Sequence, residues 1–165
     1  MQQFFFMIFV IAFNANLHAQ QDALMIARDE FHKGTEESLK KVIALSASPE
    51  NAVVSAYQGA SKARMADYVG NPISKLKYFN SGKELLEESI KKKKELESVY
   101  LRLLIQLNAP GFLYYNKNIE EDLAFFNNNI GKSNLPIATK SMFVSNLKKG
   151  NKHAHDLSSL EALKF

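Results

Sequence analysis

The polar and aromatic side chains of this sequence are densest between Tyr100 and Asp122, where they could bind a ligand. Arg102 and Gln106 are four residues apart, so they share one face of a helix that is otherwise apolar. A guanidinium group among apolar residues must be paired with an acid or must face a cleft. Asp122 can supply that acid if its helix packs against the helix of Arg102. The first interpretation is therefore an internal ion pair that sets the angle between two helices.

A small pocket at the same place is the second interpretation. The planar fork of N–H groups on an arginine suits carboxylates and phosphates, so the pocket would take an anionic or polar ligand. The candidate ligand- or partner-binding residues are Arg102, Gln106, Asn108, Tyr115, Asn118 and Asp122.

Residue types with catalytic or metal-binding chemistry are scarce elsewhere. The chain has no cysteine, and it contains no glycine-rich phosphate loop, nucleophile elbow or His-Glu-x-x-His motif. His153, His155 and Asp156 are metal-ligand types near the C-terminus, but no further spaced ligand accompanies them, which favours a solvated tail. The acidic group at residues 84–88 has lysines beside it as ordinary surface partners. We therefore predict no catalytic residue, no metal, no cofactor and no enzymatic activity.

The N-terminal segment has the layout of a secretory signal peptide over residues 1–19. An apolar run from Phe4 to Phe13 is followed by small residues, with a cut expected near Ala19. A spanning helix needs about 20 apolar residues, so this run is too short to cross a membrane. An uncleaved anchor and a buried N-terminal helix are the alternatives. We expect a periplasmic or secreted mature chain without a transmembrane segment, although Lys and Arg are missing from the first residues.

Helical patterns fill the remainder of the chain, and no strand signal is found. We predict an all-α single domain over residues 20–150, with about six to eight antiparallel helices, and a tail or short helix over 151–165. A stripe of small residues should let two helices pack closely, as in tetratricopeptide-like hairpins. That stripe consists of Ala52, Ala56, Ala60 and Ala63.

Capping residues predict where these helices begin. Thr35 should cap the second helix, Ser48 the third, Asn71 the fourth and Asn118 the sixth. The fourth and fifth helices should be separated by a bend after the lysine run at 91–94, since one continuous helix would be long for this domain. The fifth helix, apolar nearly all round, should form the core.

The basic character of the chain belongs to one late segment. The net charge of +4 arises because residues 123–155 contain five lysines and no acid, the preceding part of the mature chain is neutral, and the last ten residues carry −1. Five lysines without arginine and with little aromatic interleaving are too few for a nucleic-acid surface, so we predict no nucleic-acid partner. A solvated helix face with a flexible tail is the favoured interpretation, and a patch for an acidic surface is the alternative.

Two motifs resemble those of a group of short, uncharacterised exported proteins from Bacteroidota-type bacteria. The first is Arg-x-x-x-Gln-x-Asn-x-Pro-x-Phe-Leu-x-Tyr-x-x-Asn-Ile-x-x-Asp, which begins at Arg102. The second is the Lys-x-x-Tyr-Phe-x-x-Gly-Lys-x-Leu-Leu-Glu helix at residues 75–87. The resemblance covers about residues 55–126. It implies export and a helical fold, and it implies no substrate.

The expected function is that of an exported, non-enzymatic scaffold or interaction module of the cell envelope. It would contact a protein or envelope partner through a groove beside the fifth and sixth helices. A binder of a small polar or anionic ligand, with its pocket around Arg102, is the alternative.

Overall fold

The computed structural model describes residues 21–46, 51–163 and 165, which form seven α-helices and three short 3-10 turns without a strand. The predicted signal peptide at residues 1–19 lies outside these residues. No helix in the described part is long and apolar enough to cross a membrane. The helices are α1 (21–33), α2 (Glu36–Ile43), α3 (Ala52–Met65), α4 (Pro72–Lys92), α5 (Leu96–Asn108), α6 (Ile119–Ile130) and α7 (Ile137–Gly150).

Side-chain caps explain the starts of three helices. The Thr35 side chain accepts a hydrogen bond from the Ser38 N–H at α2, and Asn71 caps α4 ahead of Pro72. The third helix starts at Ala52, where the Asn51 side chain accepts from the Val54 N–H. The cap predicted at Ser48 falls on residues that are not described, and the observed start is later than that prediction.

The close packing predicted between two helices is found where α3 meets α4. A Cβ added to Gly82 would lie 2.3 Å from the backbone nitrogen of Ala63, so the glycine allows the two backbones to touch. Gly59 also packs closely against α4, since an added Cβ would lie 2.7 Å from the Leu86 nitrogen. Gly82 therefore lowers the helix propensity of α4 but lets α3 and α4 pack in direct contact.

Helix α5 lies at the centre of the single hydrophobic core. Ten of its residues are buried, and four of these are polar: Glu97, Ser98, Arg102 and Gln106. Helices α1, α3, α4, α6 and α7 all contribute side chains to the same core. The bend predicted between α4 and α5 is confirmed, because α4 ends at Lys92 and α5 begins at Leu96.

The chain differs from its sequence-based prediction at two late positions. Asn118 precedes α6 but makes no side-chain capping bond. Lys140 was expected on a solvated face, yet it is buried, with its Nζ donating to the Gly131 carbonyl at 3.2 Å. After α7 the chain runs to a 3-10 turn at Ser158–Leu160, where Leu160 rejoins the core.

Candidate functional site

Arg102 is held inside the protein by two carboxylates. Its Nε donates to Oδ2 of Asp122 at 2.6 Å and its Nη2 donates to Oδ1 at 2.7 Å, which is a bidentate pair. Its Nη1 donates to Oε2 of Glu87 at 2.7 Å. Asp122 is fully buried and Arg102 is 5% exposed. These contacts join α4, α5 and α6 at one point.

Tyr115 completes this cluster, and we call Glu87, Arg102, Tyr115 and Asp122 the Arg102 network. The hydroxyl of Tyr115 donates to Oε1 of Glu87 at 2.5 Å. Burial, with the neighbouring carboxylate, raises the pKa of this hydroxyl, so it stays protonated as a donor. Burial alone would lower the pKa of Arg102, but the carboxylates outweigh it and the pKa is raised. The guanidinium is therefore charged and already bonded at all three nitrogens.

A second buried acid is satisfied in the same way on the opposite side of α5. Arg28 donates from Nε to Oε2 of Glu97 at 2.7 Å and from Nη2 to Oε1 at 2.5 Å. The Tyr57 hydroxyl donates to Oε2 of Glu97 at 2.9 Å. Glu97 is 7% exposed. This arrangement ties α1 and α3 to the start of α5 and leaves the acid fully partnered.

An aromatic stack surrounds His32 beside that acid. The His32 Nδ1 lies 2.7 Å from the Arg28 carbonyl and its Nε2 lies 3.2 Å from the Tyr100 hydroxyl. The carbonyl can only accept, so we assign the proton to Nδ1, and Nε2 accepts from Tyr100. Asn146 donates to the same hydroxyl at 3.1 Å, and the Tyr100 and Phe143 rings stack at 3.9 Å. Burial lowers the pKa of His32, which favours the neutral imidazole.

Gln106 contrasts with these satisfied groups. It is 1% exposed, and neither Nε2 nor Oε1 of its amide has a hydrogen-bond partner among the described residues. The residue lines a cavity of about 190 Å³ beside the end of α5, although both of its amide atoms are buried away from solvent. The cavity walls are Gln106, Ala109, Pro110, Gly111, Tyr115, Asn116, His153 and His155.

A larger apolar groove lies on the other side of Ala109 and Pro110. Its volume is about 420 Å³ and it runs between the α3–α4 connection and the 3-10 turn at Gly111–Leu113. Phe112 is 73% exposed and Leu76 is 47% exposed, so large apolar side chains face solvent along it. The other lining residues are Ala63, Arg64, Ala66, Asp67, Pro72, Lys75, Phe79, Ile105, Asn108, Ala109, Pro110 and Leu113.

A cationic pocket of about 380 Å³ adjoins this groove and shares Arg64, Asp67, Ile105 and Asn108 with it. Lys149 and Lys152 add positive charge, and Asp67 is the one acid among the lining residues described. Arg64 is held in place because its Nη1 donates to the Phe31 carbonyl at 2.9 Å and its guanidinium lies over the Phe31 ring. Three cavities therefore meet at residues 105–110.

Comparison with family models, with curated proteins and with solved structures finds no match to this chain.

The predicted site residues fall into two groups. Arg102 and Asp122 form the ion pair that the first interpretation anticipated, and Tyr115, predicted as a pocket residue, joins them through Glu87. Gln106 and Asn108 line cavities, and Tyr115 shares the cavity of about 190 Å³ with Gln106. Asn118 lines none of the three cavities described above. A role for Asn118 in binding therefore stays a prediction, and none of these cavities adjoins the residue.

Three contributors to these cavities were not predicted from the sequence. Phe112 belonged to the quoted motif but was not predicted as a site residue. Arg64 follows a stripe of alanines and was not singled out. Lys149 was counted only as part of a diffuse basic segment. Of the three, only Phe112 could have been recognised from the sequence, because a phenylalanine in a Pro-Gly loop is expected to be exposed. The positions of Arg64 and Lys149 depend on how α3 and α7 pack.

Proposed function

We propose that the chain is an exported, non-enzymatic interaction module of the cell envelope, with tetratricopeptide-like helical packing, that binds a protein partner. The observation that carries this proposal is the apolar groove with Phe112 and Leu76 exposed at its edges. Exposed apolar side chains beside a concave surface are typical of interaction sites. The two buried acids of the described residues, Glu97 and Asp122, are both paired with an arginine.

The partner segment should carry apolar side chains next to an acidic residue. Apolar groups would fill the groove, where Phe79 and Ile105 form part of the lining. An acid would then reach the cationic pocket, because the two cavities share Arg64 and Asn108. Complementary charge at such a rim accelerates association and selects among partners.

The small-ligand alternative around Arg102 has less support. All three nitrogens of its guanidinium already donate to Asp122 or Glu87, and Arg102 lines none of the three cavities. An incoming anion would have to displace a buried carboxylate, which is costly. A structural role for this arginine, with binding at the neighbouring groove, is the better-supported proposal.

Selection from a displayed peptide library against the mature chain tests the groove. We expect the selected peptides to combine apolar and acidic residues. Phe112→Ser and Leu76→Ser should abolish their binding, and Lys149→Glu should weaken it. Ile137→Ser is the matched control, because Ile137 is 63% exposed on α7 and lies outside the groove. Equal binding by the Phe112 and Ile137 variants would overturn the proposal.

Export has its own test, independent of partner binding. Mass spectrometry of the chain recovered from the envelope and the medium should find Gln20 or Gln21 at the N-terminus. A chain that begins at Met1 would contradict a cleaved signal.

A further inference from the structure

We propose that the cationic pocket lined by Arg64, Lys149 and Lys152 is a binding site for the phosphate group of a small molecule. The pocket has a volume of about 380 Å³, which lies within the range of about 300–1,000 Å³ that is typical of small-molecule sites. This inference goes beyond the proposed function, because a protein partner in the adjoining groove needs to place only one acid here.

The charge of the lining favours a dianion over a singly charged group. Arg64, Lys149 and Lys152 contribute three positive charges, and none of them forms an ion pair with an acid among the described residues. Asp67 contributes one negative charge. Burial lowers the pKa of His32, the remaining titratable residue of the lining, which favours its neutral form. Three positive charges and one negative charge give a net +2, which a dianion balances and a single carboxylate does not.

The cations of the pocket also offer N–H donors that the fold leaves unused. Arg64 is held by the hydrogen bond from its Nη1 to the Phe31 carbonyl, whereas its Nε and Nη2 have no partner among the described residues and are not buried. Lys149 and Lys152 are exposed, so their ammonium groups are free to turn toward a ligand. A phosphate accepts several charge-assisted hydrogen bonds on one tetrahedral centre, and arginine and lysine are the side chains that supply them.

Nearby helix ends give the same cations a competing role. The pocket lies beside the C-termini of α5 and α7, since Asn108 and Gly150 both line it. Cations near a helix C-terminus compensate its dipole without any ligand. The Leu107 carbonyl at the end of α5 already accepts the Lys152 N–H at 3.2 Å, so the backbone supplies part of that compensation. Dipole compensation alone is the outcome that the experiment must separate from ligand binding.

Two probes of similar shape test the charge requirement. Phenyl phosphate and benzenesulfonate both carry a tetrahedral anionic group on a benzene ring, but at about pH 7.5 the first is mainly a dianion and the second a monoanion. Each is titrated into the ¹⁵N-labelled mature chain while the backbone N–H signals of Asn108, Lys149 and Lys152 are followed by NMR. We expect saturable shifts and an affinity about tenfold higher for phenyl phosphate. Equal affinities, or no saturable shift with phenyl phosphate, would overturn the proposal.

A matched pair of double variants locates the site. Lys149→Gln combined with Lys152→Gln lowers the charge of the lining from +2 to zero, so the preference for phenyl phosphate should disappear. Lys132→Gln combined with Lys148→Gln removes the same charge from exposed lysines outside the pocket, and Lys148 shares the last turn of α7 with Lys149. This control should bind phenyl phosphate as the wild type does. Equal losses in the two double variants, at unchanged thermal midpoints, would indicate diffuse attraction or dipole compensation and overturn the proposal.

Failure of the phosphate site is distinguishable from failure of the groove. The anion titration uses no peptide, whereas peptide binding depends on Phe112 and Leu76 at the groove. A chain that binds the selected peptides but not phenyl phosphate would keep the proposed function and lose the phosphate site. A chain that binds phenyl phosphate but no peptide would keep the phosphate site and lose the proposed function.

Discussion

Arg102 and Gln106 lie one turn apart on α5 and are both almost fully buried, yet their surroundings are opposite. The arginine meets two carboxylates through three hydrogen bonds. The glutamine meets no partner among the described residues and lines a cavity. The same helix therefore holds a hydrogen-bonded polar network and, four residues later, a buried amide without a partner among the described residues.

Arg102 and Gln106 are equally buried, so it is their hydrogen bonds, rather than their burial, that decide whether each stabilises the fold. A buried charge with matched partners fixes how helices dock, whereas removing one partner leaves an uncompensated charge. A buried amide without partners contributes nothing to docking and costs free energy in the folded state. On this basis the Arg102 network stabilises the fold, whereas the Gln106 amide does not.

The largest expected effect comes from breaking the closed network. Asp122→Ala should lower the free energy of unfolding by about 3–5 kcal/mol, because Arg102 would keep its charge in a buried position without its bidentate partner. Urea denaturation followed by circular dichroism measures the change. The matched control is Glu120→Ala, which alters an exposed acid on the same turn of α6 and should have little effect.

A double replacement strengthens that test. Arg102→Met combined with Asp122→Leu removes both charges and should recover much of the stability lost in the single variant. An Asp122→Ala protein as stable as the wild type would contradict the assignment of Arg102 to a structural network.

A smaller effect is expected at Tyr115, which belongs to both regions. Its hydroxyl lies in the Arg102 network, and the residue also lines the cavity of about 190 Å³ beside Gln106. Tyr115→Phe should cost about 1 kcal/mol by removing one hydrogen bond to Glu87, while the cavity keeps its aromatic wall. Tyr114→Phe is the control, because Tyr114 is 77% exposed. Equal denaturation midpoints for the two variants would contradict a contribution of this hydroxyl to the network.

Acid should weaken a third polar cluster, the stack around His32. Burial lowers its pKa below the usual 6.5, Arg64 opposes protonation, and Glu97 favours it. The unfolded chain thus binds the proton at a higher pH than the folded chain. The stability contributed by neutral His32 is present above about pH 6.5 and is lost as pH falls toward the folded-state pKa.

Chemical denaturation from about pH 7.5 to about pH 5.5 measures this loss. His32→Gln cannot titrate at this position, so its stability should decline less over the same range. Parallel pH profiles for the two proteins would show that another group is responsible.

The sequence predicted the closed network better than the cavities. Helix spacing placed Arg102 and Gln106 on one face, and the acid at Asp122 completed the pair, since both inferences need only local geometry and charge balance. Glu87 was interpreted as a surface acid because nothing local shows that α4 turns it toward Arg102. The cavities required knowledge of how the α3–α4 connection and the residues after α7 pack around the end of α5. Both Thr35 and Asn118 precede their helices as predicted, but only Thr35 makes a side-chain capping bond.

The smallest expected effect is also the one that best tests the comparison. Gln106→Met exchanges an unpaired amide for an apolar side chain of similar length, so no hydrogen bond within the described residues is lost. We expect a free energy of unfolding within about 1 kcal/mol of the wild type, shifted toward greater stability. Urea denaturation at neutral pH, run beside Arg102→Met, supplies the measurement. Arg102→Met should be strongly destabilising, because it leaves Asp122 buried without its guanidinium. If the two methionine variants lose similar stability, then Gln106 belongs to the structural network and the end of α5 is closed.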